Sequence, residues 1–187
     1  MNVYTIASVQ TLVNNVATVS DIIMGKNDTV VQTVTLIVAP AAATVTIASN
    51  IVGVGDGSND NDVVTLAVRS SVSGSSQLVT FGGLIGPGVE GDNSGGLAAT
   101  NAENDIDVLH VGSATLAGAA KFNSVVTAKA VTVFGGNAAG EDGHAEFAGD
   151  LNTTSILLQD SGTNSSTVKA KNPSGTTAPY FFSIFFA

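Results

Sequence analysis

Between Ala120 and Gly162 the chain repeats itself after 25 residues, the distance from Phe122 to Phe147. Ala120-Lys-Phe-Asn-Ser-Val-Val-Thr-Ala-Lys-Ala-Val-Thr-Val-Phe-Gly-Gly136 aligns without a gap on Ala145-Glu-Phe-Ala-Gly-Asp-Leu-Asn-Thr-Thr-Ser-Ile-Leu-Leu-Gln-Asp-Ser161. A unit this short, with one Phe, a few β-branched residues and a Gly/Asn/Asp turn, has too little apolar surface to fold alone. It suits one coil of a parallel β-solenoid, in which each repeat buries its apolar face only against its neighbours. The expectation is an extended structural surface, with no enclosed pocket for a reactant.

The chain has 187 residues, of which 44% are hydrophobic and 11% charged. That is enough to bury one substantial core, and it has far fewer charges than the roughly 25% of an ordinary soluble domain. Lys and Arg number 6 against 15 Asp and Glu, which argues against a nucleic-acid partner, since phosphate affinity comes from clustered cations. The acids comprise 11 Asp and 4 Glu, set among Asn and Gly, as in a chain with many tight turns. With no cysteine, neither disulfides nor thiolate metal sites are available. No run approaches the ~20 apolar residues of a membrane-spanning helix, and no secretory pattern is seen at Met1.

Alternation of apolar and polar residues marks strands at Val30 to Val38, Ala43 to Ile47, Val64 to Val68, Gln77 to Phe81, Val108 to Val111, Val125 to Phe134, Thr154 to Leu158 and Thr167 to Ala170. Residues 1–24 fit a helical face and a strand equally well. Alternation by itself is compatible with a parallel β-helix and with an antiparallel β-sandwich; the repeat favours the β-helix. The chain reads as a single all-β domain. Within it lie an N-terminal β region (1–81), a Gly-rich loop (82–104), a repeat region (105–171) and an apolar tail (172–187). Leu78-Val-Thr-Phe-Gly-Gly83 echoes Val131-Thr-Val-Phe-Gly-Gly136, which makes 82–104 a loop within one coil in preference to a linker.

Oxygen-bearing side chains recur every second residue at Asp56, Ser58, Asp60 and Asp62, a spacing that can aim several hard ligands at one Ca²⁺. The stretch opens like an EF-hand loop but has Asn61 at the sixth position and Ala67 at the twelfth, where that motif requires Gly and Glu. A Ca²⁺ site at a sheet turn and a solvated Asx turn are the two readings. Asp105 and Asp107 precede a strand in the same manner and join the candidate ligands. His110 and His144 are the only histidines, and Arg69 the only arginine, so no acid-base or carboxylate-plus-arginine groove stands out. Asn27, Asn152 and Asn164 stand in glycosylation sequons. Tyr180, Phe181, Phe182, Ile184, Phe185 and Phe186 make a tail too apolar to be left in water. It is expected to close the chain's own core, with donation to a neighbouring copy and a terminal export signal as the alternatives.

The repeat, Ala-x-Phe-x-Gly/Ser-x-Leu/Val-x-Thr followed by an apolar strand and a Gly/Asp turn, resembles the passenger regions of bacterial autotransporters and related surface-layer proteins. Glu146-Phe-Ala-Gly-Asp-Leu-Asn-Thr-Thr-Ser-Ile-Leu-Leu158 carries the resemblance best. It covers roughly Asp105 to Lys171, and no membrane-embedded barrel follows. It implies a right-handed parallel β-helix at the cell surface or outside the cell, serving as coat, adhesin or filament. The resulting expectation is a non-enzymatic subunit that assembles with copies of itself, with Ca²⁺ at its Asp-rich turns. The alternative is an adhesin or phage-appendage module that binds glycans.

Overall fold

The computed structural model describes residues 3–6, 9–12, 21–25, 33–41, 44–53, 63–71, 73, 77–87, 106–160, 164–170 and 180–182. They hold seventeen strands, numbered in chain order, and no helix; none is therefore long and apolar enough to cross a membrane. The protein is all-β, and its strands form parallel ladders.

The first ladder contains β1 (Val3–Ile6), β3 (Asp21–Met24), β6 (Asn50–Gly53), β9 (Ile85–Pro87), the start of β12 (Val126–Phe134) and β14 (Leu151–Asn152). The second contains β2 (Val9–Leu12), β4 (Thr33–Val38), β7 (Val63–Val68), β10 (Ile106–Val111), the rest of β12 and β15 (Ser155–Gln159). The third contains β5 (Thr44–Ile47), β8 (Leu78–Phe81), β11 (Ala119–Phe122), β13 (Gly143–Phe147) and β16 (Ser166–Ala170). From β3 to β16 the chain visits the ladders in one repeating order. Every pair is parallel except the last, in which β17 (Tyr180–Phe182) runs antiparallel to β16. This pairing is not that of an antiparallel sandwich.

Alternation explains why the clearest strands form. In β4, Val34, Leu36 and Val38 point to the core, and each sits on its counterpart Val64, Leu66 or Val68 in β7. The residues between them, Thr35 and Ile37 in β4 and Thr65 and Ala67 in β7, face outward. β12 departs from this rhythm. Val126 is buried in the first ladder and Ala128, which pairs with Ile106, opens the second; Val131 and Val133 follow in the second, and the interval of three residues from Ala128 to Val131 resets the alternation at Lys129 and Ala130. One strand thereby turns a corner and joins the two ladders into a single eleven-stranded sheet.

The internal repeat is the ladder register. Phe122 pairs with Phe147, Val126 with Leu151 and Val131 with Ile156, each 25 residues on. Phe81, Phe122 and Phe147 stack in one buried column, with ring centroids 5.0 and 4.8 Å apart and planes 9° from parallel at both steps. Ile47 lies in register at one end of the column and Ala170 at the other. The echo between Phe81 and Phe134 is not a structural equivalence: Phe81 belongs to the third ladder, whereas Phe134 ends β12 in the second. Nonetheless β7, β8 and β9 pair with β10, β11 and β12 across the Gly-rich stretch, so the ladders continue from one side of it to the other.

Side chains and backbone brace the turns between neighbouring strands of a ladder. Asn50 Nδ2 donates to Asp21 Oδ1 at 2.8 Å, and Asn50 Oδ1 accepts from the Leu84 amide at 2.9 Å, which links β3, β6 and the entry to β9. After the Phe column the turns approach so closely that a Cβ on Gly83 or Gly149 would lie 2.1 Å from the carbonyl oxygen of Ser49 or Ser124. Glycine is required at both positions by contact with backbone, which cannot move aside cheaply.

Candidate functional site

Of the residues singled out as ligands, Asp107 alone lies among the described residues. Asp56, Ser58, Asp60, Asp62 and Asp105 lie outside those residues. Asp107 lies within them, and both its oxygens are engaged: Oδ1 pairs with Lys129 Nζ at 2.7 Å and Oδ2 accepts from the Val64 amide at 2.8 Å. It ties β7, β10 and the corner of β12 together. Among the described residues no three His, Cys, Asp or Glu side chains converge as a metal group would require. Other acids brace turns, in line with their Asp-rich setting. Asp142 Oδ1 accepts from the Ser165 amide at 2.8 Å and its hydroxyl at 3.0 Å, while Asp160 Oδ1 accepts from the Ser166 amide at 2.7 Å.

The histidines stand on different ladders. His110 points outward from β10, with its ring edge-on to Phe134 at 5.2 Å. Burial holds its pKa below the ordinary value of 6.5. His144 lies in β13 and shares a 2.8 Å hydrogen bond with the Thr167 hydroxyl. Of the sequons, Asn27 lies outside the described residues. Asn164 is buried, and its amide nitrogen donates to the carbonyls of Gly136 and Ala138, so a glycan there would break the turn. Asn152 is exposed.

The outward faces of the three ladders differ among the described residues. In the first, Ile23 and Val52 form a second buried cluster on the side away from the main core, so that face is covered there. The third ladder carries charge. Lys121, Glu146 and Lys169 stand in register on β11, β13 and β16, with ion pairs of 3.2 and 3.6 Å. Burial alone would raise the Glu146 carboxyl, but the two ammonium groups outweigh it and hold its pKa below the usual 4.5.

The second ladder presents a third kind of surface. Its outward positions are Thr33, Thr35 and Ile37 on β4, then Val63, Thr65 and Ala67 on β7. Val108 and His110 follow on β10, then Ala130, Thr132 and Phe134 on β12, and Ser155, Leu157 and Gln159 on β15. No Asp, Glu, Lys or Arg occurs among them. Asp107 and Lys129 mark the border at the corner, where Thr127, Asn152, Thr153 and Thr154 line a shallow open depression. The sequence pattern did not single out this face. Its signal was present as the residues that alternate with the core positions.

Compared with known proteins, the chain matches no family model, no curated protein and no solved structure. The resemblance to autotransporter passengers therefore rests only on the residues quoted for it.

Proposed function

We propose that this chain is a non-enzymatic structural subunit, a three-sided parallel β-helix that joins copies of itself into a filament or lattice outside the cell. The observation that carries this reading is the end of the second ladder. Ile156 stands on core residue Val131 in register, yet it is 42% exposed, because among the described residues β15 pairs only with β12. An open strand edge beside an exposed core side chain is a template for the next coil, and another copy can supply that coil. The third ladder is closed differently. There β17 covers the β16 edge, so end-on stacking would run through the other two ladders.

Calcium belongs to this proposal through Asp56, Ser58, Asp60 and Asp62, whose alternating oxygens would stiffen one turn of the stack. The test is electron microscopy and sedimentation of the purified protein across a concentration series, with calcium and with a chelator. Fibres or sheets that grow with concentration and shorten under chelation are expected. A monomer that persists at millimolar concentration in calcium would refute the reading.

A further inference from the structure

The geometry points to the outward face of the second ladder as the lateral interface between two copies of this chain, an inference that rests on the self-assembly reading. Three observations select this face and this occupant. The chain carries a formal charge of −9, so two copies repel wherever charged surfaces meet, yet from β4 to β15 the charges on this face are confined to one mutually neutralising pair, Asp107 and Lys129, at its corner. Among the described residues, Val63 at 44% and Leu157 at 52% are two of the three exposed large hydrophobic residues, and both lie on it. The other faces are unsuited: at Ile23 and Val52 the first is already buried, and the third holds the Lys121, Glu146 and Lys169 column in water.

The chemistry of the face fits a sheet-to-sheet contact. Thr, Val and Ala side chains are short, so two such faces can approach to the ~10 Å of packed sheets without leaving an ion unpaired. His110 lies between Ala67 and Thr132 in register, and the burial that lowers its pKa keeps it neutral there. Five strands ~4.8 Å apart, six residues long, give a face of roughly 20 by 20 Å. That is about half the ~800 Å² per partner of a stable complex, so one contact is weak and repetition along a stack strengthens it.

The test compares the wild-type chain with a Val63→Lys/Leu157→Lys variant, and with Ser155→Lys as a milder second change, after circular dichroism has confirmed that each is folded. Negative-stain microscopy and sedimentation in low and high salt give the readout. The expected result is that wild type forms laterally thickened assemblies, more so in high salt as charge repulsion is screened. The variants should form single-width stacks or remain unassembled, with at least a tenfold rise in the concentration needed for lateral association. If wild type assembles and the folded variants thicken equally, the inference is overturned while self-assembly stands, even if the variants lose affinity for an insoluble polysaccharide such as chitin. If wild type does not assemble at all, self-assembly fails and this inference with it.

Discussion

His110 shows how one residue can report on its face. Its imidazole is partly withdrawn from water beside Phe134, and the resulting desolvation disfavours the charged form. In the unfolded chain the same group titrates near 6.5, so as pH falls through that value the unfolded state takes up a proton before the folded state does. The stability from neutral His110 is therefore present above pH 6.5 and declines as pH drops toward the lowered folded pKa. Urea denaturation at a series of pH values should show this decline in wild type, and His110→Gln should lack it. Glu146 acts with the same sign in a more acidic window. Its lowered pKa makes its contribution present above 4.5 and lost only in stronger acid, so the two effects separate along the pH axis. An unchanged slope between pH 7 and 5 in His110→Gln would show that the ring is as well solvated folded as unfolded.

Among the elements, β11 with its Phe122 is the keystone of the third ladder. Phe122 is fully buried and is stacked on both faces by Phe81 and Phe147. Phe122→Ala would leave a cavity with aromatic walls above and below. It should cost about 3–5 kcal/mol, a large share of the roughly 5–15 kcal/mol that holds a domain together. Phe122→Leu keeps most of the volume and should cost under about 1.5 kcal/mol, both read from denaturation midpoints. The sequence made β4, β7 and β12 legible because their pattern alternates against water. It did not reveal β3, β6, β11 or β13, for identifiable reasons. β3 is buried along its whole length, so it has no polar parity to read. In β11 and β13, Ala and Gly take positions that Val or Ile would fill in a sequence-obvious strand. The outward face of the second ladder was hidden too, because the corner in β12 resets which residues point inward, and only pairing reveals the new parity. Asp107 was noticed for its spacing, but its partners Lys129 and Val64 lie 22 and 43 residues away, beyond any local motif.

At the scale of the whole molecule, the agreement between the 25-residue repeat and the ladder register makes length a structural variable. Removing residues 123–147 would splice Phe122 onto Ala148, so that β14 follows β11 directly. In the shortened chain β15 would then meet β10, and β16 would meet β11, with Phe122 facing Ala170. Every side chain would keep its face, because a full coil has been removed. Removing one residue fewer shifts the strands beyond the junction by one place and exchanges their core and solvent sides. The 25-residue excision should yield a soluble, cooperatively unfolding β protein of lower melting temperature, since stack stability is roughly a sum over coils and their contacts. The 24-residue excision should aggregate or lose cooperativity, because Leu158 and Val168 would be turned toward water while polar neighbours enter the core. Circular dichroism melts of the two deletions, one residue apart in length, test whether the register is set by coil length. Equal stability in both would mean that the strands beyond the junction do not depend on the coil beneath them for their facing, which would undercut the stacking argument from which self-assembly is drawn.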